Sequence, residues 1–398
     1  MVNIAKFLKR TRLNIGAIFL FLWLLLPALS CNESSARHDA QKYVWEHPEP
    51  LNAADTLLAY RVDTFFQHRV KHAGLNGAVL VAHKGKIIYQ NRFGFSDYKQ
   101  KSLLTDSATF QLASVSKPLT ATAILILHER KQLSIDEPVS KYIKGFPYEN
   151  ITIRELLNHR SGLANYIYLF DTMKLRKDSF ITNQDVVNYF VEFKPALQAT
   201  PGHRFQYCNT NYALLAYIVE VVSGQLFPVF MEEHIFTPAH MHHTYVRDMS
   251  NAGGRHNQTL GYMGSQWTRV EDVPYDGVTG DKGIYTTAWD LYLFDQALNH
   301  GVLLNAAILD EAYKGYSYEK PGQKNYGLGW RLKEFEDSSR IIYHNGWWRG
   351  YNTLFVRKPE QGTCIIVLAN KFNRSVYNVA PLYEMLGLKA GEKEEGEE

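Results

Sequence analysis

Residues 114–127 read SVSKPLTATAILIL, and this stretch carries the strongest structural signal in the chain. The run from Leu119 to Leu127 is hydrophobic on nearly all sides, which predicts a buried helix, and Pro118 is tolerated in a first helical turn. Residues three positions apart lie on one face of a helix. We therefore expect the Ser114 hydroxyl to lie beside the Lys117 amine.

This pair has the chemistry of an activated nucleophile. A serine hydroxyl reacts poorly unless a base removes its proton. Burial favours the neutral form of a lysine, which can then take that proton. The N-terminus of a helix also offers N–H groups and positive potential where an oxyanion forms. Ser114 and Lys117 are therefore the candidate nucleophile and base of a serine hydrolase.

The Ser-x-x-Lys pattern is unspecific alone, because it also occurs at Ser96–Lys99 and Ser317–Lys320. The first of these lies in a polar stretch, and the second runs into Pro321, which disfavours a helix there. Only Ser114 begins a buried helix. A role for Ser114 as an ordinary helix cap stays open at this point.

Two further motifs follow in the chain. Tyr207-Cys208-Asn209 comes after the turn at Pro201-Gly202 and precedes a long apolar helical segment, and His344-Asn345-Gly346 ends a strand-like run. Each pattern recurs elsewhere in the chain, so neither is specific alone. Tyr207 as a structural tyrosine and His344 as a packed strand histidine are the alternatives.

In this order, the three motifs resemble those of the serine beta-lactamase and penicillin-binding-protein superfamily, specifically its class C-like branch of esterases, D-aminopeptidases and D-alanyl carboxypeptidase-like proteins. The resemblance runs from about Thr56 to Tyr383. Other stretches that look similar are Leu156–Leu163, in which His159 and Ser161 are expected to shape a loop, Gly280–Thr287 with Asp290, and Tyr326–Trp330.

The resemblance implies a role for each motif. Ser114 would be acylated, while Lys117 and Tyr207 would share the proton transfers, with Tyr207 returning a proton to the leaving group. Asn209 would hold a substrate amide or the lysine. Water would then release the acyl group.

The same resemblance implies that backbone N–H groups of Ser114 and Trp347 form the oxyanion hole. His344 would line the site and assist proton or substrate placement, and Gly346 belongs to the same substrate-binding strand end. Asp281 and Lys282 could touch substrate, although a salt-bridged loop is the simpler interpretation.

The third motif also bears on the substrate. Histidine stands where true beta-lactamases use lysine to bind a substrate carboxylate, and an unperturbed histidine is mostly neutral near pH 7. Arg349 could take that role, with a bidentate geometry that lysine lacks. Trp347 and Trp348 would form an apolar wall at the rim. These features favour an ester, a D-amino acid peptide or a cell-wall peptide as substrate, with a beta-lactamase or a catalytically idle protein that binds cell-wall peptides or a partner as alternatives.

The N-terminus resembles an export signal. A basic stretch ends at Arg12, and the apolar run Ile15 to Leu26 is shorter than the roughly 20 residues that a membrane span needs. Ala28-Leu29-Ser30-Cys31 resembles a bacterial lipobox, so we expect lipid on Cys31 and a periplasmic or cell-envelope location, anchored in the membrane. An uncleaved single-span anchor or a plain signal peptide is the alternative.

Composition narrows the remaining classes of function. Apolar residues make up 45% of the 398 residues, enough for a full core, and the formal net charge is only +3, which does not favour nucleic acid as a partner. No metal-ligand spacing is present, and we expect no metal and no cofactor. Cys208 and Cys364 are expected to be free thiols, with Cys364 in the core.

The sequence patterns predict strands near the N-terminal end of the domain, helices in its middle and strands again in its C-terminal part. This order predicts an α+β fold in which an antiparallel sheet from both chain ends is flanked by helices, with an inserted, mostly helical region at about 140–265. The expected segments are a signal peptide (1–31), a tether (32–52), the hydrolase domain (53–388) and a disordered acidic tail (389–398).

Overall fold

The computed structural model describes residues 50–173, 175, 179–247, 255 and 257–389. The predicted signal peptide with Cys31, most of the tether and nearly all of the tail lie outside these residues.

Fourteen strands are present in the described part of the chain. In chain order they are β1 (Gly77–His83), β2 (Lys86–Phe93), β3 (Phe95–Asp97), β4 (Ser102–Leu103), β5 (Phe110–Gln111), β6 (Tyr245–Val246), β7 (Tyr262–Met263), β8 (Thr268–Arg269), β9 (Ile284–Thr286), β10 (Lys324–Tyr326), β11 (Arg331–Glu334), β12 (Arg340–Trp348), β13 (Tyr351–Lys358) and β14 (Thr363–Ala369). The α-helices there are α1 (Ala53–Ala73), α2 (Ser116–Glu129), α3 (Ile153–Leu157), α4 (Tyr166–Asp171), α5 (Asn183–Phe193), α6 (Asn209–Ser223), α7 (Phe227–Met231), α8 (Ala288–Asn299), α9 (Ala306–Ala312) and α10 (Ala380–Met385).

The main sheet is antiparallel and has seven strands in the order β10-β11-β12-β13-β14-β1-β2. Its two N-terminal strands therefore join five strands from the C-terminal part of the chain through the pairing of β1 with β14. The helices α2 to α9 fall in the sequence between them. The predicted fold class, a sheet from both chain ends with a helical insertion, is confirmed.

The centre of the sheet is covered on both faces. Every residue of β13 and β14 is buried, as expected for strands that carry continuous apolar runs. Because side chains alternate along a strand, Leu354 packs into the core formed with α1 and α10, whereas Phe355 packs on Phe294 of α8. Cys364, in β14, is buried and free, and so is Cys208.

The helical region is built around α2, whose residues from Ser116 to Leu127 are all buried and which packs against α6. Local signals fix other helices: Thr152 and Glu155 form a capping box that begins α3. Within the described residues, no single helix is long and apolar enough to span a membrane. One pair of helical segments meets the length and composition limits together, but it is bent by 81° at the break between Asn209–Ser223 and Phe227–Phe236.

The edge of β12 leaves room for a site. β11 pairs with β12 only as far as Tyr343, so the stretch from His344 to Trp348 pairs with β13 alone. A 3₁₀ turn, Ala113–Val115, joins β5 to α2 and packs against β12. The fold thus brings Ser114 beside the third predicted motif.

Candidate active site

Ser114 lies in the 3₁₀ turn just before α2, and 9% of its surface is exposed. The preceding residue, Ala113, has φ of 49°, a left-handed conformation that costs energy for a residue other than glycine and is common at functional sites. The residue that caps α2 is Val115, and it makes no side-chain capping bond. Ser114 is therefore not a helix cap, and its hydroxyl is turned to Lys117.

Lys117 is fully buried and bonds the candidate nucleophile. Its Nζ lies 2.9 Å from Ser114 Oγ and donates a second hydrogen bond, also of 2.9 Å, to the carbonyl oxygen of Asp281. Burial lowers the pKa of Lys117 to about 7; the positive charges of Lys282 and Arg331 add to this, and Asp281 opposes it. The amine can therefore lose its proton near neutral pH and accept the serine proton.

Tyr207 lies on the other side of the lysine. Its ring centroid is 4.9 Å from Lys117 Nζ, and its buried hydroxyl is close to Ser114 without a hydrogen bond of ordinary geometry to a described group. Burial raises the pKa of Tyr207, with the nearby Tyr326 as the second cause. The phenol thus keeps its proton, which suits a proton donor better than a primary base.

His159 holds the Tyr207 segment in place. Its ring centroid is 4.3 Å from that of Tyr207, and its Nδ1 accepts a 3.2 Å hydrogen bond from the Cys208 N–H. Burial lowers the pKa of His159 well below the usual range, so the ring is neutral and can act as this acceptor. The structure gives His159 the loop-shaping role that the sequence indicated.

Asn209 is the first residue of α6 and is half-buried. Its side-chain amide makes no hydrogen bond to another described residue, which leaves it available to a substrate amide. Among the described residues, Lys117 bonds Ser114 and the Asp281 carbonyl and not Asn209, so the structure shows no contact for the alternative in which Asn209 holds the lysine.

His344 lies beneath the site and not at its surface. It is fully buried; its Nδ1 contacts the Asn345 carbonyl at 2.7 Å, and its Nε2 lies 3.0 Å from the Tyr326 hydroxyl. These partners assign the proton to Nδ1, so Tyr326 donates to Nε2. Burial lowers the pKa of His344 well below the usual range. The prediction that His344 lines the site must be corrected, because both ring nitrogens are already engaged by the protein.

Gly346 lets β12 approach the nucleophile. A Cβ at this position would overlap the Leu112 carbonyl and the Thr353 hydroxyl, and it would lie 3.0 Å from the Ser114 backbone nitrogen. The Thr353 hydroxyl donates a 2.6 Å hydrogen bond to the same Leu112 carbonyl. The backbone of Ser114 is therefore held close to the stretch of β12 that precedes Trp347, as the predicted oxyanion hole requires.

The residues after Gly346 form one end of the site. Trp347 is 42% exposed and lies at the rim, whereas Trp348 is half-buried and donates a 2.6 Å hydrogen bond to Asp276. Arg349 lies in the turn between β12 and β13 with φ of 52°. It lines a polar cleft of about 260 Å³ together with Gln111 and Trp348, and its Nε is buried without a partner among the described residues.

The loop that bonds Lys117 is fixed by a buried network. Asp281 and Lys282 approach to 3.4 Å, Tyr166 donates a 3.0 Å hydrogen bond to Asp281, and Lys282 donates a 2.7 Å hydrogen bond to Tyr166. This is the salt-bridged loop that the sequence suggested. Its effect is to aim the Asp281 carbonyl at Lys117.

Sequence reasoning missed three contributors to the site: the Asp281 carbonyl, Tyr326 and Arg331. The first two lie in stretches that resemble the family, so the sequence marked these stretches but did not indicate what either group does. Arg331, whose guanidinium lies 5.1 Å from the Tyr207 ring centroid, follows the last of these stretches and had no signal of its own.

Comparison with known proteins identifies the family. The family model described as Beta-lactamase matches residues 62–387. Penicillin-binding protein 4* of Bacillus subtilis is 32% identical over 81% of this chain and 74% of its own length. The putative penicillin-binding protein PbpX of the same organism is 31% identical over 77% of this chain and 73% of its length.

Solved structures share the fold. A penicillin-binding protein from Bacillus halodurans superimposes with a TM-score of 0.71 and 26% identity, covering 80% of this chain and 98% of its own. EstCE1, described as a hydrolase with promiscuous acyltransferase activity, shares the fold with a TM-score of 0.71 at 20% identity, covering 84% of this chain and 99% of its own. The chain therefore belongs to the beta-lactamase family and is a serine hydrolase related to the penicillin-binding proteins.

Proposed function

We propose that this protein is an exported serine hydrolase that cleaves an ester or an amide through an acyl-enzyme on Ser114. The observation that carries the proposal is the buried contact between Ser114 and Lys117, in which the lysine has a pKa of about 7. An idle binding protein has no need of a desolvated lysine aimed at a serine hydroxyl, because burying an amine costs stability. Export is supported by the N-terminal sequence pattern.

The chemistry follows from these positions. Ser114 Oγ attacks the substrate carbonyl carbon while its proton passes to neutral Lys117, and the N–H groups of Ser114 and Trp347 stabilise the oxyanion. When the intermediate collapses, the bond to the leaving group breaks. Tyr207 donates its proton to the leaving group and regains one from Lys117. Water then attacks the acyl-enzyme and releases the acid.

The substrate we favour is a small ester, a D-amino acid peptide or a cell-wall peptide, before a bicyclic lactam. At the third motif, His344 is buried and neutral, so it offers no charge to a lactam carboxylate. The exposed Trp347 supplies apolar surface at the rim. Arg349 is the candidate in that region for binding a substrate carboxylate, because its buried Nε has no partner among the described residues. It lines the cleft that Trp348 also lines, away from His344.

Covalent labelling tests the proposal. The purified protein is treated with a fluorophosphonate probe and with a fluorescent penicillin, beside Ser114→Ala and the matched control Ser96→Ala, which alters the serine of another Ser-x-x-Lys pattern. We expect labelling of the wild type and of Ser96→Ala, and none of Ser114→Ala. A folded wild type that neither probe labels would instead support the idle binding protein.

A substrate panel tests the preference. We expect short-chain nitrophenyl esters or D-amino acid amides to be hydrolysed with a higher kcat/KM than a chromogenic cephalosporin. A higher kcat/KM for the cephalosporin would establish a beta-lactamase and overturn the proposed substrate preference. It would leave the assignment of Ser114 as the nucleophile intact.

A further inference from the structure

A wide groove lies on the Tyr207 side of the site. Its volume is about 910 Å³. One wall is formed by residues 203–206, the other by residues 317–325, and Tyr326, Arg331 and Tyr343 complete it. Nothing in the catalytic steps above uses this space.

The groove is lined by neighbours of Tyr207, the residue that we place at the leaving group. Gln206, in its wall, directly precedes Tyr207. Two other lining residues contact the Tyr207 ring: the guanidinium of Arg331 lies 5.1 Å from its centroid, and the Tyr326 ring lies 6.5 Å from it. A leaving group that takes its proton from Tyr207 therefore has this groove as its neighbouring space.

A half-buried arginine, Arg160, ties the segments that precede the two walls of the groove. Arg160 donates hydrogen bonds to the Gly202 carbonyl, 3.1 Å from Nε and 2.6 Å from Nη2, and a 2.9 Å bond from Nη1 to the Tyr316 carbonyl. Phe205 of one wall packs on Tyr326 with ring centroids 5.4 Å apart. The groove thus has a braced shape and an aromatic surface, as preformed binding sites do.

The residues that line the groove carry more positive than negative charges. Its lining contains the cations Arg204, Lys320, Lys324 and Arg331, together with His203, and a single carboxylate, that of Glu319. Glu319 is paired with Arg160, which neutralises it. Lys320 and Lys324 are exposed and form no ion pair within the described part of the chain. Within the described residues, the exposed Lys320 and Lys324 therefore give the space an excess of positive charge.

We propose that the leaving-group part of the natural substrate is anionic and is held in this groove through a carboxylate or a phosphate. The inference rests on the proposed function, since it names the class of substrate for the same nucleophile. A concave cationic surface beside a reactive centre concentrates anionic substrates and guides their binding. The aromatic surface would hold the part that links this anion to the scissile bond.

Three matched esters test the inference: para-acetoxyphenylpropanoate, its neutral carboxamide and the corresponding phosphonate. Each releases the same acetyl group and a similar phenol, and only the distal charge differs. We expect the wild type to hydrolyse at least one anionic ester with a kcat/KM about tenfold above that of the carboxamide, mainly through a lower KM. The preference should fall as salt is raised. A higher value for one of the two anions distinguishes carboxylate from phosphate.

A charge-matched pair of variants assigns the effect to the groove. In Lys320→Gln/Lys324→Gln, we expect the anionic preference to fall about three- to tenfold while kcat/KM for the carboxamide is unchanged. In the control Lys99→Gln/Lys131→Gln, which removes two exposed lysines outside the lining, the preference should persist. A preference that survives in the groove variant, or disappears in the control, overturns the assignment.

The two proposals fail in different ways. Equal kcat/KM for charged and neutral esters, with Ser114 still labelled by fluorophosphonate, overturns the anionic groove and leaves the hydrolase intact. Absence of both hydrolysis and labelling overturns the hydrolase and the groove with it.

Discussion

At the scale of single residues, Lys117 is where function and stability conflict. A buried lysine without a carboxylate bonded to its Nζ lowers the free energy of unfolding. In this protein, that Nζ bonds the Ser114 hydroxyl and the Asp281 carbonyl. Replacing it with a hydrophobic residue of similar length removes that cost. We expect Lys117→Met to raise Tm by about 3–8 °C and to abolish labelling of Ser114, measured by calorimetry and by fluorophosphonate. A drop in Tm would contradict this account.

The pH dependence of stability gives the same residue a second test. Since the folded pKa of Lys117 is about 7 and that of an unfolded lysine is about 10.5, the unfolded chain binds more protons between these values, and wild-type stability rises there with pH. The cost of burial is greatest below pH 7. We therefore expect the Tm advantage of Lys117→Met to shrink as pH rises from about 6 to about 9.

The pH dependence of catalysis follows from the same titration. If neutral Lys117 is the base, kcat/KM for a nonionisable ester rises through an apparent pKa of about 7 and then levels. His159 and His344 do not add an inflection there, because burial lowers the pKa of each well below its usual range. A profile that is flat from about pH 6 to about pH 9 would remove the lysine from the base role.

Tyr326 contacts both the buried His344 and Tyr207, and the His344 ring also lies 6.4 Å from the Tyr207 ring. Its hydroxyl bonds His344 Nε2, and its ring lies near that of Tyr207. Tyr326→Phe leaves a buried acceptor unpaired, so we expect a loss of about 1–3 kcal/mol in the free energy of unfolding, measured by urea denaturation. Labelling of Ser114 should continue; its complete loss would mean that Tyr326 acts directly on the nucleophile.

At the scale of elements, the site depends on how closely β12 approaches the turn before α2. Gly346 allows that approach, and a methyl group there would overlap Leu112 and Thr353. We expect Gly346→Ala to lower kcat/KM about 100-fold in a folded protein, since misplacement by about 1 Å has such an effect. Gly224→Ala is the control: it strains the left-handed C-cap of α6 in open space and should lower stability while leaving kcat unchanged.

Long, strongly patterned elements were predictable. The helix α1 has apolar residues at helical spacing, and the strand β14 is a nearly continuous apolar run, so each carries its own signal. β10 and β11 were not predicted. Their few residues, Lys324–Tyr326 and Arg331–Glu334, carry no apolar alternation, and they form strands because β12 offers hydrogen bonds. Short edge strands are decided by their partner and not by their own sequence.

At the scale of the whole molecule, the proposed export and lipid anchor are a separate question from the fold, since Cys31 lies outside the described residues. We expect Cys31→Ala to abolish incorporation of a palmitate analogue by cells that express the chain, and to release the protein from the membrane fraction. Lipid labelling that persists in Cys31→Ala would contradict the lipobox proposal. Activity of the purified domain should be the same in both forms.

The sequence by itself determined the family, the fold class and the three motifs, because local apolar periodicity and motif order are properties of the chain. It determined the proximity of Ser114 and Lys117, since a single helical turn joins them. Only the tertiary structure decided the rest. Whether His344 faces substrate or core, what binds Lys117 besides Ser114, and which cations surround Tyr207 depend on residues far apart in sequence, brought together by burial and by the pairing of strands.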